Sequence, residues 1–197
     1  MLAILAAVFV FAAAGLAESD ETSAATEDNG KASGDDGNIH WETVGDTMTF
    51  TKREGKTSGD MKDYGKGDHP WNDAGYSNLV ISEGITKIGK FAFYDCDFTT
   101  LTIASTVTHI GNGAFEECTN FTGSLVIPSG VTYLGEYAFK KCPITELTIP
   151  ICLDEVIDDD HDNEVFCECK KIAKINFTVG FSGEGYSYTE DERNNTP

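Results

Sequence analysis

The densest run of chemically capable side chains is Asp158-Asp159-Asp160-His161-Asp162-Asn163-Glu164. Alternating carboxylates in a loop can supply the six or more oxygens that calcium takes. An EF-hand loop also needs a glycine at its sharp turn and a flanking helix pair, and neither is visible here. The segment 154–164 therefore reads as a solvated acidic insertion, with calcium binding there as the alternative. The six cysteines fall into two sets. Cys96, Cys118, Cys142 and Cys169 recur in phase with a repeat and read as small buried side chains. Cys152 and Cys167 lie off the repeat and flank the insertion, where a disulfide and a pair of free thiols are both open. There is no Cys-x-x-Cys, and Cys167-Glu168-Cys169 is too tight for a structural zinc pair, so no metal site is expected. His40, His69, His109 and His161 are scattered. Asp68-His69-Pro70-Trp71 sets an acid beside a histidine, but a loop ending in a packing tryptophan explains it as well. No nucleophile elbow, zincin, P-loop or dinucleotide fingerprint accompanies it. No catalytic residue and no cofactor are expected.

Charge narrows the partners. The chain has 197 residues, 33 acidic and 14 basic, for a net charge of −19. A nucleic-acid binder needs a basic face to displace counterions, so that class is excluded. The acid sits at the ends: residues 18–37 are net −6, 38–150 net −5 and 151–197 net −8. Met1–Ala17 is wholly apolar apart from Gly15. It has the length of a signal-peptide core, is short for a membrane span, and ends in small residues at Gly15-Leu16-Ala17. The expected organisation is a signal peptide over 1–17, an acidic disordered linker over 18–37, an amino-terminal cap over 38–76, a repeat region over 77–181 and a disordered tail over 182–197. After cleavage of the signal no membrane insertion is expected, and the localisation is secreted, with surface association open.

A repeat carries the middle of the chain. Leu79-Val80-Ile81, Gly84-Ile85-Thr86, Ile88-Gly89, Ala92-Phe93 and Cys96 recur as Leu101-Thr102-Ile103, Val107-Thr108, Ile110-Gly111, Ala114-Phe115 and Cys118. They recur again as Leu125-Val126-Ile127, Gly130-Val131-Thr132, Leu134-Gly135, Ala138-Phe139 and Cys142. The phenylalanine and the cysteine repeat after 22 and then 24 residues. A fourth copy starts at Leu147-Thr148-Ile149-Pro150, is interrupted by the insertion and resumes at Phe166 and Cys169, and Ile175-Asn176-Phe177 reads as a closing strand. Leu-x-Ile alternates with period two and predicts a short strand. Val-Thr-x-Ile predicts a second extended stretch, its glycine a turn of positive φ, and Ala-Phe-x-x-Cys a short helical turn with Phe and Cys on one face. One unit cannot bury its own apolar face, whereas stacked units can, each column packing on its copy in the next coil. Ile39–Val44 and Thr47–Lys52 alternate around Gly45-Asp46, a hairpin signal, and Trp41, Phe50 and Trp71 could cover the open end of the first coil.

Leu-x-Ile-Pro-x-x-Val-x-x-Ile-Gly-x-x-Ala-Phe-x-x-Cys resembles the BspA-type leucine-rich repeat of secreted and cell-surface proteins, over Leu79 to Phe177. The resemblance implies a β-rich α/β right-handed solenoid of about four to five coils with an amino-terminal β-hairpin cap. It implies binding or adhesion rather than catalysis, with an extracellular or host protein or a surface polymer as partner. The alternative is an acidic matrix-type structural protein that binds calcium at 154–164. The contact surface should be the outward positions, since inward ones are core. These are Val80, Thr102, Val126, Thr148 and Asn176 on the first strand and Lys87, His109 and Tyr133 on the second stretch, where residue type varies while the framework stays fixed. The sequons at Asn120 and Asn176 are candidate glycosylation sites in a eukaryotic secretory pathway, with Asn120 expected to be the more accessible.

Overall fold

The computed structural model describes residues 26–28, 31–72, 74–150 and 164–178. The expected signal peptide, the insertion up to Asn163, Cys152, and with it any Cys152–Cys167 bridge, and the expected tail lie outside them. The described chain is a β-solenoid of about four turns. On one wall of each coil lies a Leu-x-Ile strand: β6 (Asn78–Ile81), β8 (Thr100–Ile103), β10 (Ser124–Val126), β12 (Glu146–Pro150) and β13 (Lys174–Thr178). A second wall stacks β5 (Gly59–Asp60), β7 (Ile85–Ile88), β9 (His109–Ile110) and β11 (Tyr133–Leu134) in parallel. The alternation reads directly into burial: Leu79, Ile81, Ile85, Ile88, Val107, Ile110, Val131 and Leu134 point inward and are buried.

The amino-terminal stretch joins this stack. Strands β3 (Ile39–Val44) and β4 (Thr47–Lys52) pair antiparallel, turning at Gly45, which has a φ of 58°. Strand β4 then pairs in parallel with β6, setting Met48 beside Leu79 and Phe50 beside Ile81. Trp71 packs on Phe93, 22 residues further on, with ring centroids 5.7 Å apart and the planes tilted by 36°. The segment thus occupies the place of a coil before the first clear repeat. The structure departs from the disordered linker expected over 18–37: Thr26–Asp28 (β1) and Lys31–Asp36 (β2) are strands, and β2 pairs with β3. The Thr43 hydroxyl bonds both the amide and the carbonyl of Ala32, and Asp36 is fully buried with Lys62 at 2.9 Å and the Tyr64 hydroxyl donating to it. Those partners stabilise a segment that its own composition could not order.

The helical turns are a correction. No helix occurs among the described residues, so the fold there is all β and turn rather than α/β. The third wall, Ala-Phe-x-x-Cys, divides its amides between two kinds of bond. Phe91, Phe93 and Asp95 donate to Asn112, Ala114 and Glu116 of the next coil, and Gly113, Phe115 and Glu117 donate to Glu136, Ala138 and Lys140 of the one after. The amides between them close tight turns within the coil, as Ala92 does to Gly89 and Ala114 to Gly111. A helix would keep all of these inside one coil. It is also broken by left-handed residues in phase with the repeat: Phe91, Gly113 and Tyr137 at one position, and Asp95, Glu117, Lys141 and Glu168, each preceding the column cysteine, at another.

A second correction concerns the glycine of the Ile-Gly pair. Gly89, Gly111 and Gly135 do not have positive φ; the left-handed residue comes two positions later. Glycine is needed there for close approach. A Cβ on Gly111 would lie 2.7 Å from the Lys90 amide nitrogen, and one on Gly135 would press on Asn112 in the same way.

Three columns fill the core on the turn side. Phe93, Phe115, Phe139 and Phe166 stack nearly parallel, with centroid spacings of 5.1, 5.0 and 5.7 Å. A further buried column, Phe98, Phe121 and Ile144, lies just after the cysteines. The cysteines pack and also donate: the thiols of Cys118, Cys142 and Cys169 bond the carbonyls of Phe93, Phe115 and Phe139 at 3.0, 3.0 and 2.9 Å. The strand wall, by contrast, is interrupted. Strands β8 and β10 are not hydrogen-bonded to each other, and one sheet ends at β8 while the next begins at β10. The break coincides with two extra residues between Cys118 and Leu125.

Candidate binding surface

The outward positions of the two strand walls lie in very different settings. On the first wall Val80 pairs in register with Thr102, and Val126 with Thr148, which pairs in turn with Asn176. Thr102 and Val126 are exposed, the latter by 55%, and Val80, Thr148 and Asn176 are half-buried. The break between β8 and β10 separates Thr102 from Val126, so this wall offers two short patches rather than one continuous surface.

The second wall is continuous, and it gathers the other three predicted residues. Lys87, His109 and Tyr133 are consecutive rungs in register. They line a cleft of about 450 Å³ together with Asp63, Lys90, Gly111 and Asn112. The His109 and Tyr133 rings stack at 5.7 Å and 21°, and Tyr133 remains 41% exposed. The Tyr133 hydroxyl donates to Asn112 Oδ1 at 2.8 Å. Lys87 Nζ lies 3.0 Å from Asp63 Oδ1, and the Lys90 amide donates to that same oxygen at 2.9 Å. The Lys90 amide bond is the main cause, with Lys87 adding to it, that holds the Asp63 carboxyl below its ordinary value, so Asp63 is ionised at neutral pH. Lys90 Nζ sits over the Phe91 ring, 5.0 Å from its centroid.

Sequence reasoning missed Asp63, Lys90 and Asn112. Asp63 comes from the irregular stretch before the repeats, which has no periodicity to place it. Lys90 and Asn112 share a repeat position, the one after the Ile-Gly glycine, and their change of type from coil to coil was the available signal. Of the candidate glycosylation sites, Asn120 is exposed and donates to Asp97 at 3.0 Å. Asn176 is half-buried, its amide committed to Glu146 and Thr148.

The residues that could have done chemistry are dispersed or sealed. His69 is buried, stacks on Trp71 at 5.5 Å, and approaches Tyr94 O at 3.2 Å and Cys96 Sγ at 3.7 Å. A cysteine–histidine pair could be a nucleophile and its base, but only the thiolate attacks. Burial pushes the Cys96 thiol up to about 12, so the thiol keeps its proton and the contact is part of the core. His40 lies 2.6 Å from Asp35 on the amino-terminal sheet, away from the cleft. His161 is outside the described residues. Among the described residues no group of three His, Cys, Asp or Glu side chains is placed to hold a metal ion. No helix among the described residues is long and apolar enough to cross a membrane.

Comparison with known proteins agrees with this architecture. The crystal structure of a leucine-rich repeat protein from Eubacterium ventriosum superimposes with a TM-score of 0.51 at 25% identity, over 73% of this chain and 42% of that one. This chain therefore spans less than half the length of that protein. No curated protein matches it by sequence. The BspA-type leucine-rich repeat region matches residues 72–173 in six copies. With its stacked coils, its phenylalanine and cysteine columns and that match over half its length, the chain belongs to the BspA-type leucine-rich repeat family.

Proposed function

We propose that the protein is an exported, non-catalytic binding module that attaches to an extracellular or host protein through the second strand wall. The observation that carries this reading is the cleft in which Lys87, His109 and Tyr133 stand together. Their side chains differ from rung to rung over a fixed backbone, the arrangement that lets a solenoid surface suit a partner. An exposed aromatic ring such as Tyr133 is among the residue types that anchor protein interfaces. Met1–Ala17 acts as the export signal in this reading, and the hairpin of β3 and β4 covers the first coil, so that the exposed edge does not pair with other chains.

The test uses the chain without residues 1–17, immobilised and challenged with purified extracellular-matrix and cell-surface proteins. A Tyr133→Ala variant should lose most of the binding while keeping its melting temperature, because Tyr133 is a surface residue. Binding that is unchanged in this variant, and lost instead in Thr102→Lys or Val126→Lys, would move the contact to the first wall.

A further inference from the structure

The chemistry of the cleft points to a narrower occupant, and the inference rests on the protein-binding reading above. We propose that the cleft takes an acidic peptide segment, with a carboxylate seated between Lys87 and Lys90 and an apolar or aromatic side chain about three residues along, against Tyr133.

Donors outnumber acceptors on this wall. Lys87 Nζ and the Lys90 backbone amide converge on the same Asp63 oxygen, and the lining carries two lysine side chains, Lys87 and Lys90, against the one carboxylate of Asp63, so its formal balance is positive. Tyr133 occupies the acceptor oxygen of Asn112, which leaves that side chain to offer donors. Such a wall matches an acceptor-rich anion. A positive balance at this place stands out in a chain of net charge −19. The rings favour a peptide over a sugar acid. A pyranose stacks on an open aromatic face, whereas His109 and Tyr133 each have one face covered by the other. The geometry sets the spacing. Rungs of a sheet are about 4.8 Å apart, so Lys87 and Tyr133, two rungs apart, are separated by about 10 Å, the reach of about three extended residues.

A phage-displayed random heptapeptide library, selected on the full chain, tests this, with each enriched peptide then titrated by fluorescence anisotropy. Enriched sequences should carry Asp or Glu with an apolar or aromatic residue about three positions away. A Lys87→Ala/Lys90→Ala variant should bind them roughly tenfold more weakly, the effect of losing two solvent-exposed charge contacts, with an unchanged melting temperature. A Lys87→Glu/Lys90→Glu variant should select Lys- or Arg-bearing peptides instead. The proposal is overturned by enrichment without acidic residues, by undiminished affinity in the double-alanine variant, by no enrichment at all, or by an oligouronate that binds the cleft more tightly than the peptides. Peptides that need Tyr133 but show no acidic preference would remove this occupant and leave the protein-binding reading standing. Loss of both peptide and partner binding at this wall would remove the two together.

Discussion

The turn wall and the first strand wall are built from the same repeat, yet they respond differently to its irregularities. The phenylalanine interval changes from 22 to 24 to 27 residues, and the rings still stack at 5.1, 5.0 and 5.7 Å. The first strand wall parts between β8 and β10 when only two residues are added. The difference lies in where the extra residues fall and what surrounds them. Large rings packed on both faces, thiol–carbonyl bonds and an alternating amide ladder fix the turn wall in several ways at once. The strand wall at this level has only its own ladder, and Leu101 and Ile103 there are half-buried where Leu79 and Ile81 are buried. Stability in this solenoid therefore resides mainly on the turn side, and the strand side has room to vary.

The strongest way to break that comparison is Phe115→Ala. Phe115 is fully buried between Phe93 and Phe139, and truncating such a ring costs roughly 3–5 kcal/mol. That is a large share of the roughly 5–15 kcal/mol that holds a domain together, so the described coils should melt cooperatively at a much lower temperature. A thermal melt close to that of the parent would place the stability elsewhere.

A smaller effect should come from alkaline pH. Burial raises the Cys118 thiol well above its ordinary value and the Cys96 thiol to about 12. In the unfolded chain these thiols lose their protons from about pH 8.5 upward, while in the native chain they keep them. Above that pH the unfolded state binds fewer protons, so stability is complete below about pH 8.5 and is lost as pH rises toward 12. The loss should be about 1.4 kcal/mol per pH unit for each fully buried thiol. Urea titrations at pH 8, 9 and 10 should show it, and Cys118→Ala should flatten the slope by one thiol's share. A stability flat from pH 8 to 10 would mean that the column is open to solvent.

The smallest effect repairs the strand wall. Deleting Thr119 and Gly123 turns the third link into Cys-Asn-Phe-Thr-Ser-Leu, in step with Cys96-Asp97-Phe98-Thr99-Thr100-Leu101. β8 and β10 should then pair, raising stability by about 1–2 kcal/mol from a few restored hydrogen bonds. Slower hydrogen exchange at the Leu101 and Ile103 amides is the readout, and unchanged exchange there would show that the two added residues do not cause the break.

These contrasts also explain what could be read from the sequence. The Leu, Ile, Phe and Cys columns were legible because each is one residue type at a fixed interval. Phe98, Phe121 and Ile144 were missed because the column changes type and lies two, three and two residues after its cysteine. The helical turn was misread because Phe and Cys three apart suit a helix as well as a left-handed turn, and because Phe91, Asp95, Tyr137 and Lys141 take positive φ without the glycine that would have announced it. Within the cleft, Lys87, His109 and Tyr133 were legible as one outward column. Their neighbours from the irregular segment and from the position after the glycine were not, because only the coiling of the chain brings them together.

The thiol column has a redox consequence. Export, as proposed above, would bring the chain to oxidants, which act on thiolates. In the folded coils Cys118 is buried and donates its proton to the Phe93 carbonyl, and burial keeps this thiol out of the reactive form. The unfolded chain exposes every cysteine at its ordinary acidity. Protection from oxidation is then conferred by folding itself, and the rate at which an added oxidant consumes Cys118 measures how often the solenoid opens.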